Sequence, residues 1–123
     1  MAIKTNILKK FIGELLETKC SNVYYEIADN TSNFPYLTFF IDVFSIGDRE
    51  DKQLEINIYG KDVEVAENIA DGICNIFKNY KYVDENMLIF TNVNARNSIE
   101  LDDKTIKRRR LLIDLYFYDR SVS

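Results

Sequence analysis

The stretch "QLEINIYGKDVEVAENIADGICNIF", residues 53–77, decides the fold. Its first part alternates: Leu54, Ile56 and Ile58 point one way, while Gln53, Glu55, Asn57 and Tyr59 point the other. A period of two predicts a strand over 53–59 with one apolar face and one wet face. Gly60 breaks the pattern and Asp62 is a good helix N-cap. The period then changes to three and four, through Ala66, Ile69, Ala70, Ile73, Ile76, Phe77 and Tyr80. That spacing predicts an amphipathic helix running to about Tyr80. Glu64 and Glu67 lie near its positive end, Lys78 and Lys81 near its negative end. Such a strand and helix bury their apolar sides against each other.

Upstream, Ile7, Leu8, Phe11, Ile12, Leu15 and Leu16 predict a second amphipathic helix over 3–18. Asn22 stops it and a short strand, 23–27, follows. "DNTSNFP", 29–35, reads as a loop, with the single proline, Pro35, at the entry of a strand over 36–45. That strand is apolar on both faces: Leu37, Phe39, Ile41 and Val43 on one, Tyr36, Phe40 and Phe44 on the other. A single helical layer covers only one of them. The other calls for a second layer or another subunit, which singles out Tyr36, Phe40 and Phe44. "GDREDK", 47–52, reads as a charged turn.

Downstream, 82–86 reads as a connection, 87–96 as a strand, Asp102-Asp103 as a turn, and 106–118 as the last strand. The expectation is one α+β domain over 1–123. It has two layers, an antiparallel sheet of about five strands and two amphipathic helices packed on it.

Composition bounds the function. The 123 residues are 46% hydrophobic and 29% charged, with a formal net charge of -4. Generic nucleic-acid binding needs a positive surface, so the balance argues against it. Cys20 and Cys74 are too few for a disulfide scaffold and read as small core residues. The start lacks a signal-peptide pattern, and no apolar run reaches the ~20 residues of a membrane helix, which predicts an intracellular chain.

The search for chemistry predicts no catalytic, cofactor or metal site. Histidine is absent, which removes the commonest general base and metal ligand. Four scattered glycines make no phosphate loop. Asp48, Glu50 and Asp51, like Asp102 and Asp103, cluster in turns. A metal-dependent hydrolase uses such acids, but solvated turn residues are the plainer reading. Asp42 and Asp114 interrupt apolar strands and read as outward positions.

The basic run Lys107, Arg108, Arg109 and Arg110 leads directly into the apolar last strand. By alternation, Lys107 and Arg109 share the side of Leu111, Ile113, Leu115 and Phe117. Unpaired charges do not stay over a core. The strand is therefore expected to leave the core near residue 110 and project as a hairpin arm. Three environments suit such an arm: solvent, a DNA backbone, or an acidic turn of an adjacent subunit, at Asp48, Glu50 and Asp51 or at Asp102 and Asp103. The last is preferred to DNA, because an acidic chain repels polyanions at long range.

The order of elements around "VYYEIADNTSNFPYLTFF" (23–40) and "VEVAENIADGICNIF" (63–77), with a closing hairpin and an aromatic last strand, resembles the tail terminator proteins of tailed phages and phage-tail-like particles. The resemblance runs over residues 3–118. It implies a homohexameric ring, without catalysis or cofactor, that caps the tail tube and offers a face to head-completion (connector) proteins. It also implies assembly in a bacterial host's cytoplasm, residence in the virion tail, and a lumen through which DNA slides without specific binding. Another tail or neck component, or a small nucleic-acid-binding domain, are the alternatives.

Overall fold

The computed structural model describes residues 2–28, 33–46 and 49–119, with side chains described for 6–28, 33–42 and 52–118. The element order is α1 (Ala2–Glu17), β1 (Val23–Tyr25), β2 (Tyr36–Ile46), β3 (Arg49–Gly60), α2 (Val63–Phe77), β4 (Tyr80–Val83), β5 (Met87–Ile99) and β6 (Lys107–Asp119). The strands form a six-stranded sheet in the order β1-β2-β3-β6-β5-β4. The α+β class holds. The expected five antiparallel strands are six, and the sheet is mixed, because β1 runs parallel to β2.

The period switch at Gly60 is realised as written. Asp62 adopts an extended conformation (φ -121, ψ 128) and its side chain accepts a hydrogen bond from the Glu64 N–H at 2.8 Å. An N-terminal donor is thereby satisfied. Helix α2 buries Ala66, Ile69, Ala70, Ile73 and Phe77. Beneath them lie Leu54, Ile56 and Ile58 of β3 and Leu111 and Ile113 of β6, all fully buried. Leu8, Ile12 and Leu16 of α1 join the same core, together with Leu37, Phe39 and Ile41 of β2. Ile7, expected on the same helix face, is exposed instead. Cys20 is buried and Cys74 is partly buried against the core, as small apolar residues.

One strand was not expected. The helical period in the sequence runs on to Tyr80, but α2 ends at Phe77. Asn79 takes a left-handed conformation (φ 52), which asparagine tolerates better than most residues, and turns the chain directly into β4. Thr91 of β5 closes the junction by donating its hydroxyl to the Phe77 carbonyl at 2.8 Å. The "GDREDK" turn is also shorter than expected. Ile46 already pairs with Arg49, so only residues 47 and 48 separate the strands.

The α2–β3 layer yields the first prediction. Ile73→Ala removes a fully buried side chain, and should cost about 2–5 kcal/mol in denaturant unfolding. A change under about 0.5 kcal/mol, typical of surface sites, would contradict the layer.

Candidate interaction surface

The two faces of the sheet differ. One carries both helices. The other, bearing Phe40, Glu55, Asn57, Tyr59, Arg108, Arg110 and Leu112, has no layer over it among the described residues.

The basic run lies within this sheet and does not project. β6 is flanked by β3 as far as Gly60↔Lys107 and by β5 as far as Ile99↔Arg108. The expected arm is therefore corrected: all four cations belong to a central strand. The physical reason is internal pairing on both faces. Arg109 stays on the helix side, where its side chain is only 12% exposed, because Glu67 of α2 meets its guanidinium. Glu67 is shared with Arg96 of β5, which also reaches Asp71 at 2.7 Å. On the open face, Arg110 donates to Glu55 at 3.0 and 3.2 Å, and Arg108 donates twice to the Asn57 side-chain carbonyl, at 2.7 and 3.0 Å. Asn57 in turn donates to Glu55 at 3.0 Å. Each arginine leans one rung along β3, so a row of alternating donors and acceptors forms. The Lys107 ammonium donates to the Lys104 carbonyl at 2.9 Å.

These pairs set the electrostatics. The hydrogen bond from Arg109 holds the Glu67 carboxyl below its ordinary range, reinforced by Arg96. For Glu55 the hydrogen bond from Asn57 comes first, then Arg110 and Arg108.

At one end of the open face aromatic side chains of the sheet and its entry cover one another. Tyr36 stacks on Tyr59 with ring centroids 4.8 Å apart, and Phe34 and Tyr24 pack beside it. Only 7% of Tyr36 remains exposed. Phe40, four residues on and on the same face, is 40% exposed. Of the other positions singled out, Asp48 lies outside the described residues, as do the side chains of Phe44, Glu50 and Asp51. The acids Glu55 and Glu67, which the sequence reading passed over, are the ones that meet the basic run. Alternation placed Glu55 outward correctly, but only the β3–β6 register sets it beside Arg110.

Removing Glu67 tests the helix-side pairing. Glu67→Gln should destabilise the chain by about 1–3 kcal/mol, between the value of an exposed pair and that of a buried pair broken on one side. The folded-state pKa of Glu67 is depressed. Its contribution is therefore complete above the unfolded value of about 4.3, and is lost as pH falls through the folded value. Stability measured by urea titration from pH 7 to pH 3 should fall less steeply in Glu67→Gln than in wild type. Equal acid slopes would show that the pair contributes nothing.

A chain of the virion of a native gene transfer agent particle is similar to this one, with a TM-score of 0.66 at 13% sequence identity over 83% of each chain. A second solved structure, whose name states no function, is similar with a TM-score of 0.61 at 12% identity, over 91% of this chain and 89% of that one. No protein-family model and no curated protein matches the sequence. At these identities the likeness is one of fold, and it extends over most of the chain.

Proposed function

We propose that this chain is a structural protein of a phage-like virion and, within that class, a tail terminator that forms a ring on the end of the tail tube. The observation that carries the reading is the shared fold with a chain of the gene transfer agent virion, which spans most of both chains. The order of elements is the second support. In this reading the partners are neighbouring copies of the chain, the tail tube protein and a head-completion protein, and DNA passes through the lumen unbound. The protein works by geometry and not by catalysis.

The electrostatics fit that role. Three cations of the basic run already have partners in their own chain, so a polyanion would compete with pairs formed at fixed geometry. Arg108 and Arg110 retain some exposure on the open face beside the exposed Phe40. In this proposal they take part in contacts between copies, as rim charges that steer assembly more than they tighten it.

Native mass spectrometry with negative-stain imaging tests the reading. A six-copy ring that halts growth of polymerising tube protein is the expected result. A chain that stays monomeric at every concentration, or that retains DNA with a steep salt dependence, would overturn it.

A further inference from the structure

Each edge of the sheet is covered along less than a third of its length, and at opposite ends. On one side β1 pairs with β2 only at Leu37, Thr38 and Phe39, while β2 continues to Ile46. On the other side β4 pairs with β5 only from Leu88 to Thr91, while β5 continues to Ile99. Where the cover ends, a side chain takes the next outward amide. The Ile41 N–H donates to the Tyr25 hydroxyl at 3.3 Å, and the Val93 N–H donates to the Asn92 side-chain oxygen at 3.0 Å. Beyond these, strand alternation turns the backbone groups of Val43 and Ser45 outward on β2. On β5 the register shift between Val93 and Ala95 resets the alternation, and Arg96 and Ser98 face outward. No strand lies beside either pair among the described residues.

We propose that these two partly covered edges pair with each other between neighbouring copies. Val43 and Ser45 of one copy lie antiparallel to Ser98 and Arg96 of the next. The proposal rests on the ring reading and names its subunit contact.

Four features carry the inference. The first is direction. β2 and β5 are antiparallel within one copy, three pairings apart, so head-to-tail copies in the same orientation bring them together as an antiparallel ladder.

The second is fit. In the column beside β5, the neighbour's β2 continues where β4 stops. In the column beside β2, the neighbour's β5 continues where β1 stops. The two steps are complementary in shape.

The third is stagger. Within one copy Val43, Lys52, Leu115 and Thr91 lie in one row. Pairing Val43 with Ser98 displaces the next copy by about six residues, or ~20 Å, across four strand columns ~19 Å wide. The resulting strand tilt of roughly 45° is at the upper end of the usual range for closed sheets.

The fourth is the lack of protection on β2. Residues 40–46 contain neither proline nor lysine and only one charge, Asp42, so little of what usually blunts an edge is present. A two-fold β2–β2 pairing would leave the β5 step unfilled, whereas the head-to-tail ladder fills both.

The proposed register sets Asp42 opposite Ile99 as a non-hydrogen-bonded pair, with Cα atoms about 4.5 Å apart, within disulfide reach. The double variant Asp42→Cys/Ile99→Cys of the full chain, oxidised and run without reductant, should give a ladder of covalent multimers up to the closed ring. Each single variant should give none. Ser98→Pro should lose assembly in native mass spectrometry while keeping wild-type circular dichroism. Assembly with no ladder, and with Ser98→Pro assembling like wild type, would overturn the edge pairing and leave the ring reading standing. A dimer from Asp42→Cys alone would overturn it in favour of a two-fold contact. A monomer under all conditions would remove both.

Discussion

One apolar layer between α2 and the central strands carries this structure. Ile73 and Phe77 from above and Ile56, Ile58 and Leu111 from below leave no exposed surface between them. Burying a side chain of this size is worth about 1.5–3 kcal/mol, so a handful of such contacts matches the whole net stability of a small protein. Everything else is placed by that layer. It sets which side of β6 faces the helix, and hence that Arg109 lies beneath α2 and needs Glu67. It also sets which face of the sheet is left open.

The helix-side ion pairs show how a cation run is accommodated in a central strand. Leaving Arg109 unpaired under α2 would cost several kcal/mol. Glu67 is positioned to prevent this because it lies on the helix flank, one step off the apolar stripe of Ala66 and Ala70. A carboxylate shared by Arg96 and Arg109 ties α2 to both β5 and β6. On the open face the Glu55–Asn57 row does the same within the sheet. Arg108, Arg109 and Arg110 thus each have a partner within their own chain.

Much of this was legible in the sequence, for reasons that also explain what was not. The switch from alternation to a helical period at Gly60, and the cap at Asp62, are local signals, and local structure follows them. The core residues Leu54, Ile56, Ile58, Ile69, Ile73 and Phe77 are the ones periodicity indicates. β4 was hidden because Tyr80 continues the helical spacing, and the left-handed Asn79 that interrupts it has only a weak signature. The parallel pairing of β1 with β2 is a matter of tertiary register, which composition does not carry. The placement of the basic run is not visible in sequence, because whether a charge can stay beneath α2 depends on a partner. Glu67 is distant in sequence and is brought to Arg109 only by the crossing of α2 over the sheet. The partly covered edges are likewise invisible in sequence, since they depend on strand order and on how far β1 and β4 extend.

In the proposed assembly, a two-layer fold with one stepped edge on each side continues its sheet from copy to copy. Site-resolved amide hydrogen exchange, compared between dilute and assembling conditions, tests this most directly. The account predicts that the amides of Val43, Ser45, Arg96 and Ser98 slow strongly on assembly, while those of α2 do not change. Assembly that protects the helices and leaves these four amides exchanging as in the dilute protein would contradict it.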